Sequence, residues 1–190
     1  MKALVLNGSE NEESTVNTVS DYLVDFLRIE NHKVDVIVLR DEKIAPCLGC
    51  FGCWLKTPGK CVINDAGSDL PRKILQSNFV FLLTPVTFGM YSSQLKKAID
   101  RYACPLLLPF FQKINGEVHH AIRYDKNPKL VAIGVLPTLD EESENNFNTL
   151  VSRNGINLHT TAFSSIVYMI DKPDVIKQKV ISTLSKAGVQ

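Results

Sequence analysis

Residues 78–102 read NFVFLLTPVTFGMYSSQLKKAIDRY, and their pattern decides the fold. The stretch 79–83 is apolar without alternation, which fits a strand buried on both faces. Pro85 closes that strand, because proline cannot donate to a sheet ladder. From about Ser92 to Tyr102 the apolar residues Leu95, Ala98, Ile99 and Tyr102 recur at helical spacing. A buried strand, a loop and an amphipathic helix in that order make half of a parallel βαβ unit.

The same unit repeats in both directions. Residues 2–7 form an apolar run that ends at Gly8, and a helix follows from Ser14 or Thr15 with Val16, Val19, Leu23, Phe26 and Leu27 on one face. A second strand covers 34–39, and Asp65 is placed to cap a helix running to about Gln76. Residues 130–136 read as a fourth strand, 141–154 as a helix, 159–169 as the region of a fifth strand, and Pro173 opens a last helix. Strands alternating with helices predict an α/β three-layer sandwich with a five-stranded parallel sheet. The common order for such a sheet is 2-1-3-4-5, the flavodoxin-like arrangement. Residues 1–190 are expected to form one domain, with an insertion at about 105–128.

Composition agrees. A chain of 190 residues that is 45% hydrophobic can bury a sizeable core, and a net charge of +1 gives no reason to expect nucleic acid or a membrane surface as partner. No apolar run has the length of a bilayer span, and the N-terminus lacks a cleavage pattern, so a cytoplasmic protein is expected.

In this topology the loops after strands one and three line the ligand crevice at the switch point. The first loop, residues 8–15, reads GSENEEST. Gly8 permits a sharp turn, and Ser9, Ser14 and Thr15 place hydroxyls at a helix N-terminus, where orphan amides and the helix dipole favour a phosphate. A polar turn with an N-cap is the alternative. The second loop carries Pro85, Val86, Thr87, Phe88 and Gly89, followed by Met90 and Tyr91. Its backbone amides and aromatic rings suit a planar heterocycle, whereas an ordinary connection would pack its aromatics into the core.

The segment from Thr84 through Gly89, followed by Ser92-Ser93-Gln94-Leu95-Lys96-Lys97-Ala98-Ile99-Asp100-Arg101, resembles the flavin-ring segment of the NAD(P)H-dependent FMN reductase family. The likeness runs from Lys2 to about Tyr168. It implies FMN as cofactor and NADPH or NADH as electron donor, with an electron acceptor still to be identified. It also implies a homodimer or higher homo-oligomer. The first loop departs from the family pattern, since Glu10, Glu12 and Glu13 stand where basic or small residues are usual. Three carboxylates beside a phosphate are unfavourable unless they point into water.

Cys47-Leu-Gly-Cys50-Phe-Gly-Cys53 is followed by Trp54 and then Cys61. Such spacing lets soft thiolates converge on one centre, eased by Gly49 and Gly52. An iron–sulfur cluster, reduced thiols and a zinc site are the readings open to the residues themselves. The segment resembles that of the iron–sulfur flavoproteins, a branch of the same family, and this resemblance implies a [4Fe–4S] cluster on Cys47, Cys50, Cys53 and Cys61. Cys104 stands apart on a helix face and is expected in the core. His119 and His120 are expected in a solvated loop, and the apolar run 105–111 over the crevice or against another subunit. Trp54 is expected either to stack on a ring or to be a partly buried structural indole.

The expected function is FMN-dependent NAD(P)H oxidoreduction of a flavin, quinone or other small acceptor, with no catalytic side chain required. An iron–sulfur flavoprotein carrying electrons between proteins is the rival reading. A flavin-free binding domain of the same fold is the third.

Overall fold

The strands are β1 (Lys2–Asn7), β2 (Lys33–Val38), β3 (Phe79–Pro85), β4 (Leu107–Ile114), β5 (Glu117–Ile122), β6 (Lys129–Leu136) and β7 (Ala162–Tyr168) in the computed structural model, which describes residues 1–189. The main sheet is parallel throughout and runs β2-β1-β3-β6-β7. With β4 and β5 set aside as an inserted hairpin, this is the order 2-1-3-4-5 expected from the sequence. The helices are α1 (Thr15–Ile29), α2 (Gly52–Leu55), α3 (Leu70–Leu75), α4 (Ser93–Leu106), α5 (Glu141–Asn157) and α6 (Pro173–Ala187).

Side chains of the central strands alternate between two cores, as the pleat requires. Ala3, Val5, Phe81, Leu83, Val131 and Ile133 point to one face and meet α1 and α6 through Val19, Leu23, Val180 and Leu184. Leu4, Leu6, Val80, Leu82, Leu130 and Ala132 point to the other face and meet α3, α4 and α5 through Ile74, Leu95 and Phe147. Leu23 is fully buried at that first interface, so truncating it to alanine would cost about 2–5 kcal/mol.

Caps fix where the helices begin. Ser14 accepts from the Val16 amide, Ser92 from the Leu95 amide and Asp140 from the Ser143 amide. The helix expected from Asp65 starts as a 3₁₀ turn at Ala66–Asp69, and α3 follows with a proline in its first turn. Among the described residues, no helix is long and apolar enough to cross a membrane.

Residues 107–122 form an ordered hairpin, where His119 and His120 were expected in a solvated loop. Asn115 (φ 50°) and Gly116 (φ 86°) make the two-residue turn between β4 and β5. The hairpin docks on α5 through His119, which is 6% exposed and contacts Asn157 Oδ1 at 2.8 Å through Nδ1. His119 Nε2 lies 3.0 Å from Glu117, which also accepts from both terminal nitrogens of Arg153. His120 is sandwiched between Trp54 and Phe111, with ring centroids 5.0 and 4.7 Å away. Of the apolar run, Leu106 and Leu107 are buried, whereas Phe110 and Phe111 face outward.

Candidate functional site

The loop after β1 is organised by Asn17, in the first turn of α1. Its Oδ1 accepts from Asn7 Nδ2 and from the Ser9 hydroxyl, both at 2.9 Å, while its Nδ2 donates to the Asn11 and Glu12 carbonyls. Each trans peptide points its N–H opposite its C=O, so the Glu12 and Glu13 amides turn away from Asn17. Ser9 is completely buried, and its single proton is committed to Asn17. Ser14 caps α1 as an acceptor, which leaves its O–H available, and Thr15 opens the helix. Glu10, Glu12 and Glu13 are all exposed, and the first turn of α1 has no acidic residue. The acidic loop thus keeps its carboxylates in water and its helix dipole uncompensated.

A residue that the sequence reading did not single out also reaches this loop. Arg40, just beyond β2, donates through Nη1 to the Ser9 hydroxyl oxygen. The register of β1 with β2 ends at Asn7↔Val38, and two further residues on each strand bring Ser9 beside Arg40.

The loop after β3 is stitched to the first. Ser92 Oγ donates to the Gly8 carbonyl (2.9 Å), and the Gly8 amide donates to the Leu83 carbonyl (2.7 Å). A Cβ on Gly8 would lie 2.9 Å from the Leu83 oxygen and 3.0 Å from Ser92 Oγ, so glycine is demanded by the close approach of the two strand ends. Thr84, fully buried, accepts from the Ser92 amide and fixes the far end of the loop.

Between these anchors the Thr87 and Met90 backbones exchange hydrogen bonds of 3.0 and 2.9 Å around Phe88 and Gly89. Both central residues have positive φ, 51° and 71°. The turn lifts Phe88 to 94% exposure, an uncommon state for so apolar a ring. The Val86 amide is used by the Val135 carbonyl. Among the described residues, the Phe88 and Gly89 amides donate to no backbone oxygen. Tyr91, considered for the ring face from its sequence, is instead buried against Phe147 and receives a hydrogen bond from Asn154. Burial pushes its phenol up to about 12.

The cysteines converge more completely than their spacing indicates. Cys47, Cys50, Cys53 and Cys61 line one pocket with about 30 Å³ of free volume, and Cys104 from the last turn of α4 lines it too. Cys104 is therefore part of the thiol cluster and not a separate core residue. Burial pushes the Cys53 thiol up to about 11, with further pressure from Cys104, Cys61 and Cys47. Cys104 is raised by burial first and then by Cys47. Among the described residues, no three ligand-type side chains stand in metal-holding geometry. The donor set nevertheless suits soft-metal chemistry, since it offers more than four thiols in one pocket.

Two side chains anchor the cysteine segment. Trp54 stacks on Phe51 (5.1 Å) and donates from Nε1 to the Cys104 and Leu107 carbonyls at 2.7 and 3.0 Å, so it is a structural indole. Arg101, 1% exposed, closes the base of the loop. Its Nη1 donates to the Ala45 carbonyl and its Nη2 to the Ile63 carbonyl, so one guanidinium grips both flanks of the cysteine segment. Both nitrogens also bind Asp65 at 2.8 and 2.6 Å, and Asp65 accepts from the Ala45 and Gly67 amides. Burial pulls the Asp65 carboxyl up, but the Arg101 and backbone donors outweigh it and hold it below the usual range.

The sheet order defines a flavodoxin-like α/β protein, and the loops after β1 and β3 meet at the switch point of its sheet. Residues 1–123, more than half of the sequence, match the NADPH-dependent FMN reductase family, and the chain belongs to that family. It is 32% identical over 120 residues to an iron–sulfur flavoprotein of Methanocaldococcus jannaschii, covering 62% of this chain and 61% of that one. An iron–sulfur flavoprotein of Archaeoglobus fulgidus is 31% identical over 101 residues, covering 53% of this chain and 45% of that one. The matches thus span less than two thirds of those relatives. In three dimensions the chain is similar to an NAD(P)H:quinone oxidoreductase from Methanothermobacter marburgensis, with a TM-score of 0.70, 12% identity and coverage of 100% and 96%. A second likeness is to an FMN-dependent NADH-azoreductase from Bacillus anthracis solved with FMN, with a TM-score of 0.67, 12% identity and coverage of 99% and 98%.

Proposed function

We propose that this chain is an FMN-dependent oxidoreductase that takes electrons from NADPH or NADH and passes them to a small acceptor of the flavin or quinone class. The observation that carries this reading is the junction of the two switch-point loops, locked by Ser92 on Gly8 and presenting free amides and an exposed ring. Bound FMN would supply hydride acceptance and onward electron transfer.

The residues present suit that cofactor. Ser14 and Thr15 offer hydroxyls and the α1 N-terminus offers amides to the phosphate, while Ser9 holds the loop in shape. Pro85, Val86 and Thr87 set the backbone of the ring loop, and the Phe88 and Gly89 amides are left to donate to the ring's acceptor edge. Phe88 covers the ring against water. No side chain is required as acid or base, because the flavin would carry the hydride chemistry and the protein would supply orientation and electrostatics. A homodimer or higher homo-oligomer would also cover Phe88, Phe110 and Phe111, which are exposed in the single chain.

The cysteine pocket favours a second reading, in which the chain is an iron–sulfur flavoprotein that relays electrons between proteins. Cys47, Cys50, Cys53 and Cys61 would hold a [4Fe–4S] cluster, with Cys104 as a fifth thiol beside it. The two relatives described above carry the iron–sulfur flavoprotein name.

One measurement addresses both readings: the visible spectrum of anaerobically purified protein, before and after adding FMN, then NADH or NADPH, then dithionite. Flavin bands that bleach with a nicotinamide nucleotide support the reductase. A broad brown shoulder that bleaches only with dithionite supports the cluster. FMN-loaded protein that neither nucleotide reduces would sink the first proposal.

A further inference from the structure

The first loop poses an electrostatic problem: it carries Glu10, Glu12 and Glu13 and no cation of its own. We propose that Arg40 supplies the missing positive charge, so that the cation recognising the flavin's phosphate is delivered from the neighbouring strand. The proposal rests on the FMN reading above and extends it to a residue outside the phosphate loop.

Geometry carries the inference. The parallel register ending at Asn7↔Val38 sets Arg40 level with Ser9, at the mouth of the loop. Arg40 Nη1 donates to Ser9 Oγ, and its Nε forms a 3.6 Å ion pair with the exposed Asp41, too long for a hydrogen bond. Among the described residues, Nη2 has no acceptor. The Ser9 hydroxyl already donates its one hydrogen bond to Asn17. It can therefore orient the guanidinium as an acceptor while the guanidinium presents its remaining N–H groups to an anion. A planar guanidinium matches a phosphate's paired oxygens better than an ammonium does.

Exposure decides the sign of the local field. The Arg40 side chain is 20% exposed, whereas that of Asp41 is 66% exposed and the three loop glutamates also face water. Water and salt screen the exposed carboxylates much more than the sheltered guanidinium. A phosphate between the α1 N-terminus and Arg40 would thus meet net positive potential despite the acidic sequence. The same glutamates would repel anions that lack Arg40's fit.

The test compares FMN with riboflavin, which differ only by the phosphate, titrated into flavin-free protein and read by quenching of flavin fluorescence. Wild type should bind FMN more tightly than riboflavin, and added salt should weaken only the FMN complex. Arg40→Gln should weaken FMN by about 10- to 100-fold, the loss of one charge-assisted phosphate contact, with riboflavin changed less than about twofold. Arg40→Lys should fall between, and it decides the matter if circular dichroism shows that Arg40→Gln is unfolded. Equal loss of both ligands, or no loss of either, would overturn the assignment. So would a wild-type protein that binds riboflavin as tightly as FMN. A wild type that binds neither ligand would instead defeat the FMN reading itself.

Discussion

Replacing Asp65 by asparagine probes the clamp beneath the cysteine loop. The carboxylate accepts four hydrogen bonds, two from Arg101 and one each from the Ala45 and Gly67 amides. Asparagine keeps the shape but turns an NH₂ toward a donor, and it leaves the Arg101 guanidinium, 1% exposed, without its counter-charge. Breaking a buried pair from one side costs about 3–5 kcal/mol. For a domain of this size each kcal/mol moves Tm by about 2–4 °C, so thermal unfolding followed by circular dichroism should show a fall of about 6–20 °C. The loop itself has a built-in reporter, since Trp54 is the only tryptophan and packs on the hairpin. Its emission should shift to the red if the loop loosens. Because the cost lies in the orphaned charge, the double variant Asp65→Asn with Arg101→Met should lose no more stability than Asp65→Asn alone. Strictly additive losses, or a Tm change below about 2 °C, would refute the reasoning. The pH dependence has a definite sign. The folded Asp65 carboxyl is depressed, so its stabilisation is complete above the unfolded value near 3.9 and is lost as pH falls through the lower folded value.

Three further outcomes are expected. Gly8→Ala should lose about 1–3 kcal/mol in urea unfolding, because its methyl would stand 2.9 Å from a carbonyl oxygen that cannot give way; unchanged stability would show that the strand ends can part. Phe88→Gly should leave Tm the same or slightly higher, since a 94% exposed ring at φ 51° contributes strain and no packing, while FMN binding weakens; a large drop in Tm would contradict this. Glu117 should titrate near 2 by NMR, held down first by Arg153 and then by His119, and Arg153→Gln should return it toward 4.3. The hairpin contact that Glu117 makes is therefore intact above about pH 4 and lost only as pH falls toward 2.

The sheet order was legible because each strand is an apolar run bounded by turn chemistry, and alternation with helices leaves few parallel topologies. Local pattern also placed helix starts near Ser14 and at about Ser92, the two residues that cap α1 and α4. What stayed hidden depends on contacts between distant segments. Arg40 reaches Ser9 only through strand register, and Cys104 joins the thiols only because α4 runs beneath the loop. Tyr91 is drawn into the core by Phe147, far along the chain on α5. The hairpin is a different case, since Asn115-Gly116 flanked by strand-like residues is a local turn signal that the reading of 105–128 as an insertion passed over.

That hairpin has an evolutionary consequence. The chain between β3 and β6 covers 86–128, and 107–128 is about half of it. Doubling such a connection raises its closure entropy by only about 0.6 kcal/mol. The sheet therefore tolerates a longer or shorter appendage here at little thermodynamic cost. The Trp54 and His120 contacts, by contrast, tie the hairpin to the thiol-bearing loop. A lineage could shed or enlarge the hairpin without rebuilding the sheet, and what it would gain or forfeit is the packing against the thiol-bearing loop.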